Sequence, residues 1–289
     1  MTHVEPLIIG RFEVGVVCQG YAPLDLADEC PGHTVDWAAE RARHAWAFLD
    51  GASWPWHVHA FCVRGPGYLA MVDTGTGAFP PFRPWAEAGD HTAEHALVAA
   101  GVDPDEVGLV VVTHLHADHA GGVWRGDGPR FPNARHVVHE ADIAHFLADP
   151  DPDGYSAADD IERVREAGLL DAEPADRELA PGLTIVHTPG HTPGHRSVVL
   201  DGQALLTGDL LHMPVQAEHP DWPSSHDVDP ELGAASRRRL MTEASARRWV
   251  VGVPHLARPF GRVGETGWCS LGPVSAEADA PLTHGYDLG

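Results

Sequence analysis

The chain has 289 residues, with 42 Asp and Glu against 19 Lys and Arg, a formal charge of −23 with histidine neutral. That length can bury a sizeable core, and the acidic balance weighs against nucleic acid or an anionic membrane surface as a partner, because both require a basic face. No apolar stretch approaches a membrane span, and the segment Met1 to Pro6 lacks the basic-then-apolar order of a signal peptide. The four cysteines, Cys18, Cys30, Cys62 and Cys269, are scattered without a CxxC pair, so they read as reduced thiols in a cytoplasmic protein.

The region up to Gly51 is weakly patterned, with a strand-like piece from Phe12 to Val17 and a helix expected from Val35 to Leu49, where Asp36 can cap and Trp37, Ala38, Arg41, Ala45 and Phe48 share a face. Val58 to Val63 and Tyr68 to Val72 read as paired strands around the turn Gly65-Pro66-Gly67, the second ending in Asp73-Thr74-Gly75-Thr76-Gly77. Thr92 opens a short helix, His95 to Ala100, closed by Gly101. Leu109-Val110-Val111-Val112 is a buried strand, His136 to His139 another, with helices following from Glu140 to about Leu147 and from Asp159 to Ala167. Between those helices Pro150 to Gly154 is a turn. Leu183 to Val186, Ser197 to Leu200 and Ala204 to Leu206 are further strands, Pro230 after Asp229 starts a helix to about Arg248, and Trp249 to Val253 is a last strand. The tail after Gly264 is acidic and poorly patterned, and no repeat of fixed period is visible.

Directly after the strand at 109–112 comes His114-Leu115-His116-Ala117-Asp118-His119, then Gly121-Gly122. Three imidazoles and a carboxylate in six positions suit zinc and neighbouring first-row metals. No helix or strand period explains them as packing, so they are placed on a loop at a strand end. His191, in the Pro/Gly-rich run Thr188 to His195, Asp209, after Leu205-Leu206-Thr207-Gly208, and His255, after Val250 to Val253, each follow a strand as well. Repeated ligands at strand ends are what a site on one edge of a sheet requires.

Taken together, Asp73-Thr74-Gly75, His114-x-His116-x-Asp118-His119, His191, Gly208-Asp209 and His255 resemble the pattern of metallo-β-lactamase-fold hydrolases, over roughly Trp56 to Gly261 or about two-thirds of the chain. The resemblance implies an α+β fold, a four-layer αββα sandwich, with two divalent ions at the sheet edges. Zinc is favoured, with manganese, iron and cobalt as alternatives. By that resemblance His114, His116 and His191 hold one ion, Asp118, His119 and His255 hold the other, and Asp209 bridges them. Asp73 supports the ligand loop by hydrogen bonds and does not bind metal.

Other residues read as structure. His195 is a hydrogen-bonded histidine beside the His191 loop. His57 and His59 share one face of a strand and read as a half-exposed face in preference to a third metal site, although the neighbouring aromatics can line a pocket mouth. Arg237, Arg238, Arg239, Arg247 and Arg248 read as a solvated helix face. His212, three residues after Asp209, stands where lactonases of this fold carry a Tyr and methyl parathion hydrolase-like members a His. It is a candidate catalytic residue in contact with substrate.

The function implied is a dinuclear hydrolase of a small neutral ester, lactone or phosphotriester acting through a metal-bound hydroxide, with Asp118, ahead of Asp209, as the candidate proton shuttle. The alternatives are a mononuclear iron oxygenase of the same fold, of the persulfide dioxygenase kind, which the complete two-ion ligand set disfavours, and a hydrolase specialised to a biosynthetic intermediate. The expected organisation is a single domain over 1–289, with 1–51 an N-terminal extension serving as lid or homodimer arm and 265–289 an irregular tail. The expected partner is a small-molecule substrate.

Overall fold

Alternating apolar residues along short strands build the frame. In the computed structural model the described residues are 5–49, 53–76, 93–148, 156–265 and 267–271. Gly51, Gly77, Thr92, the Pro150–Gly154 turn and the tail beyond 271, each singled out above, lie outside them. The strands in chain order are β1 (Leu7–Ile9), β2 (Phe12–Asp25), β3 (Ser53–Gly65), β4 (Tyr68–Val72), β5 (Leu109–Val111), β6 (Trp124–Arg125), β7 (Gly128–Pro129), β8 (Arg135–Val138) and β9 (Leu170–Ala172), followed by β10 (Arg177–Ala180), β11 (Leu183–His187), β12 (Arg196–Leu200), β13 (Ala204–Leu206), β14 (Val250–Gly252), β15 (Phe260–Gly264) and β16 (Gly267–Ser270). They form two seven-stranded sheets, ordered β1-β2-β3-β4-β5-β8-β9 and β10 through β16 in sequence, plus the β6–β7 hairpin. The parallel pairs are β4–β5, β5–β8 and β8–β9 in the first sheet and β13–β14 in the second.

Period-two alternation assigns the faces. Leu109 and Val111 point into the core between the sheets, where they meet Val14, Phe61, Val72, Leu183, Val198, Leu206 and Phe260. Their neighbours Val110 and Val112 face the opposite side, against helices α2 (Ala93–Ala99), α4 (Glu140–Ala148) and α5 (Ala158–Glu166) through Leu97, Phe146 and Ile161. On the far side of the second sheet, Leu205 and Val251 pack against Leu240, Met241 and Ala244 of α7 (Pro230–Arg247). The result is the expected four-layer αββα sandwich. Helix α7 begins where Asp229 accepts the Leu232 N–H and ends at Arg248 in the left-handed region, φ 57°. No helix among the described residues is long and apolar enough to cross a membrane.

Two expectations are corrected. The helix expected over Val35–Leu49 is only α1 (Trp37–Arg43), capped by Asp36 as anticipated. It breaks at His44, whose ring reaches Glu218 of α6 (Val215–Glu218) at 2.9 Å, and a 3-10 turn, Ala45–Ala47, follows. The first half of the expected N-terminal extension is part of the sheet: β2 pairs with β3 along its length, and Phe12, Val14 and Val16 enter the intersheet core. Burial of that apolar face outweighs the weak local pattern that suggested an appendage. Residues 26–48 instead pack Leu26, Ala47 and Phe48 onto Trp54, Trp56, Met213 and Val215.

Candidate metal centre

The ligand-bearing segments leave the carboxyl ends of β5, β11, β13 and β14, with the supporting Asp73 after β4, and the topology gathers these ends at one edge of the two sheets. His114 and His116 lie on the loop after β5, as expected. Asp118 and His119 sit in a single helical turn, α3 (Ala117–Ala120), and not on the loop itself. The turn needs close backbone approach: a Cβ on Gly121 would meet the Thr76 carbonyl oxygen at 2.7 Å. Gly208, at φ 54° just before Asp209, has a similar role, since a Cβ there would meet His195 Nε2 at 2.7 Å.

All seven expected ligands converge, and none is more than 7% exposed, so bulk water does not satisfy their polar atoms. His116 Nδ1 lies 2.9 Å from His114 Nε2 and 3.0 Å from His191 Nε2. Asp209 Oδ2 lies 3.3 Å from His191 Nε2 and 3.7 Å from His114 Nε2. The other oxygen, Oδ1, lies 3.0 Å from His119 Nε2 and 2.9 Å from His255 Nε2. Asp118 Oδ2 completes that second group, 3.1 Å from His119 Nε2 and 3.7 Å from His255 Nε2. Within each group, His114, His116, His191 and Asp209, and Asp118, His119, Asp209 and His255, the ligand atoms lie within 4.8 Å of one another.

Four surrounding contacts settle where the ring protons are. His119 Nδ1 donates to Asp73 Oδ2 at 2.8 Å, His255 Nδ1 to the His57 carbonyl at 2.7 Å and His191 Nδ1 to Asp227 Oδ1 at 3.3 Å. Thr113 Oγ1 spends its proton on Asp73 Oδ2, 2.9 Å away, so it accepts from His114 Nδ1 at 3.0 Å. With Nδ1 carrying the proton, the neutral form of each ring presents a bare Nε2 lone pair to a carboxylate oxygen or another ring nitrogen. Acceptors facing acceptors at about 3 Å repel unless a cation lies between them. Asp118 Oδ2 and His119 Nε2 are also buried, with one another and Asp209 as their near polar neighbours. The donor set fits divalent metal.

The electrostatics agree. Burial holds the pKa of His191 down to about 4 and that of His114 well below the ordinary imidazole value, keeping both neutral. Burial alone would raise Asp209, but His119, His255, His212 and His114 hold it well below the usual carboxylate range. Burial disfavours charge on His119 too, yet Asp118, Asp209 and Asp73 outweigh it and raise its pKa well above normal. The carboxylates that draw a proton to His119 are those that would hold a cation.

His212 is buried, with Nε2 3.0 Å from Asp209 Oδ2 and its backbone N–H on Gln216 Oε1 at 2.7 Å. His195 is structural, as expected: Nε2 accepts the Asp209 N–H at 2.9 Å and Nδ1 donates to the Thr188 carbonyl at 3.0 Å. Trp56 stacks on His255 with ring centres 4.6 Å apart, which gives the aromatic run before His57 a place at the site.

Sequence reasoning missed three supporting residues. Asp142 clasps both ligand loops, accepting from Leu115 N, Thr192 Oγ1 and Gly194 N. Asp227, just before α7, holds His191; burial opposes its charge, but His191 and Arg237 bring its pKa to about 2. Arg237 is therefore a correction: it is 1% exposed and not solvated, binding Asp227 Oδ2 at 3.1 Å and the Pro220 carbonyl at 3.0 Å. Its spacing from Leu240, Met241 and Ala244, three, four and seven residues on, was the available signal.

Two facing sheets with helices outside and a histidine–aspartate cluster along one shared edge define a metal-binding αββα sandwich. The chain belongs to the metallo-beta-lactamase superfamily, whose family model matches residues 53–248. Metallo-beta-lactamase domain-containing protein 1 of Mus musculus is 31% identical over 272 residues, 89% of this chain and 86% of that protein. An N-acyl homoserine lactonase of Bacillus sp is 31% identical over 153 residues, 50% of this chain. The chain spans about half the length of the lactonases it matches, 54% in that case. Among solved structures, AidC, a dizinc quorum-quenching lactonase in complex with a product, aligns over 94% of this chain and 98% of its own with a TM-score of 0.73 and 22% identity, a likeness of fold.

Proposed function

We propose that the protein is a dinuclear metal-dependent hydrolase of a small neutral ester, with lactones the leading class and phosphotriesters the next. The observation that carries this reading is the division of Asp209: one carboxylate oxygen faces His114 and His191, and the other faces His119 and His255. A single ion would leave one of these groups without a counter-charge. The similarity to N-acyl homoserine lactonases over half the chain supports the lactone class. When bound, a pair of divalent ions lowers the pKa of water and polarises the acyl or phosphoryl oxygen.

The chain's own residues supply the rest. Asp118 Oδ2 is buried beside His119, which holds its pKa below the usual carboxylate value and keeps it ionised, so it can take a proton at that atom and deliver it to the leaving oxygen. Gln216 holds the His212 backbone N–H, and the His212 ring lies against the Asp209 carboxylate, a position from which it orients that carboxylate. Trp56 covers His255 and keeps water from that side. The complete second group, Asp118, His119 and His255, weighs against the mononuclear oxygenase.

The test is a panel of acyl-homoserine lactones, aryl esters and phosphotriesters assayed on metal-analysed protein. Turnover should vanish on chelation and return with two equivalents of zinc, manganese or cobalt. Undiminished turnover by metal-free protein, or one iron and no zinc per active chain, overturns the reading.

A further inference from the structure

Behind the loop that carries His255 lies a second set of metal-ligating side chains. Strands β2 and β3 are antiparallel, with Cys18 opposite His59 and Tyr21 opposite His57, and the register shifts between Cys18 and Tyr21. The two strands thus place a thiol and two imidazoles on one face. The Cys18 Sγ and one nitrogen of each ring lie within 4.8 Å of one another, and the two ring centres are 5.0 Å apart.

His59 is 3% exposed and its tautomer is settled: Nε2–H donates to the Leu256 carbonyl at 3.1 Å, so Nδ1 carries a lone pair. That Nδ1 is buried without a hydrogen-bond partner, and both ring nitrogens of His57 share this condition. Leaving one such atom unsatisfied costs roughly 1–3 kcal/mol, and His59 Nδ1 together with one nitrogen of His57, close to the Cys18 sulfur, calls for a common partner. We propose that Cys18, His57 and His59 form a third metal site, separate from the Asp209 cluster, for a thiophilic divalent ion of the zinc class.

Thiolate with two imidazoles is a donor set that prefers such ions to magnesium or calcium. Three protein ligands leave a fourth position for water. Burial holds the His59 pKa down to about 3 and that of His57 well below normal, so both rings are neutral ligands. Burial also pushes the Cys18 thiol up to about 11 in the ion-free protein. Binding therefore exchanges the thiol proton for the metal, Cys–SH + M²⁺ giving Cys–S–M⁺ + H⁺, without redox change. The His57 carbonyl accepts the His255 Nδ1–H, and His59 holds the Leu256 carbonyl, so an ion here pins β3 to the segment that aims His255.

Cobalt(II) discriminates the sites, because the Asp209 cluster contains no sulfur. Wild-type protein loaded with cobalt should bind a third equivalent together with a thiolate-to-cobalt charge-transfer band in the near ultraviolet. Cys18→Ser should lose the band and that equivalent while retaining two, and Cys269→Ser should keep all three. A band that survives Cys18→Ser, or wild-type binding that stops at two equivalents without one, overturns the site. Should Cys18→Ser not fold, X-ray absorption at the zinc edge of the loaded wild type decides. One sulfur at about 2.3 Å per three zinc ions supports the proposal, and nitrogen and oxygen ligands alone overturn it.

Discussion

Asp73 and His119 are joined by a 2.8 Å hydrogen bond from ring Nδ1 to carboxylate Oδ2, and Asp73 is held at φ 63° at the carboxyl end of β4 to make it. The same carboxylate accepts the Thr113 N–H at 2.7 Å and the Thr113 hydroxyl at 2.9 Å. It therefore governs two ligand rings, His119 directly and His114 through Thr113. In Asp73→Asn the amide nitrogen must face one of three donors. Metal affinity should fall roughly 10- to 100-fold, measured by competition with a chromophoric chelator. Unchanged affinity would show that the rings need no such support.

His116 and His119 belong to different groups around Asp209. His116→Ala and His119→Ala should each lose a different one of the two ions expected there, while Asp209→Ala should weaken both. Elemental analysis after dialysis against limiting zinc reads this out. Loss of both ions from each histidine variant would mean that the two groups bind as one unit.

His212 contacts Asp209 Oδ2, and under the proposed function it is a positioning residue. His212→Gln should retain metal and lower kcat by roughly 10- to 100-fold, the range for residues that orient a metal ligand, with a smaller effect on KM. A variant that loses its metal would move His212 into the binding role instead.

Acid stability offers a check away from the centre. His136 is fully buried, its Nδ1 on the Ala134 carbonyl at 3.1 Å, and burial lowers its pKa to about 4 from 6.5. Between those values the unfolded chain binds the proton and the folded one does not, so stability falls as pH drops below 6.5 and levels off below 4. The loss is about 2 kcal/mol by pH 5 and about 3 kcal/mol in full. The urea midpoint of His136→Leu should vary less with pH than that of the wild type, and parallel pH profiles would refute the assignment.

Arg237 and Asp227 form a buried pair, 1% and 0% exposed at their side chains. Arg237→Met strands the carboxylate and should destabilise the fold by roughly 3–5 kcal/mol. Calorimetry of metal-free protein checks this independently of metal loading. A change below 1 kcal/mol would mean that water replaces the guanidinium.

Much of the centre was legible because its chemistry is local. His114 to His119 announce metal by residue type and proximity, and His191, Asp209 and His255 each follow a short, mostly apolar run that reads as a buried strand. The helix at Pro230–Arg247 was legible from Asp229 and Pro230 at its start. Of the N-terminal strands only the Phe12–Val17 piece was legible; the extent of β2 and its place in the sheet were not, because β2 gains its stability from pairing with β3 and from burying Val14 and Val16, contacts with residues far along the chain.

By itself, then, the amino-acid order determined which side chains could ligate metal and that each sits at a strand end, since both depend on residue chemistry and short-range periodicity. Only the tertiary structure decided that Asp209 is shared between two groups, that Asp73, Asp227 and the His57 carbonyl turn each Nε2 lone pair inward, and that Cys18 lies against His59. Those relations are set by sheet register and interlayer packing. They bring together residues 36 to 198 positions apart in the chain, which no local pattern records.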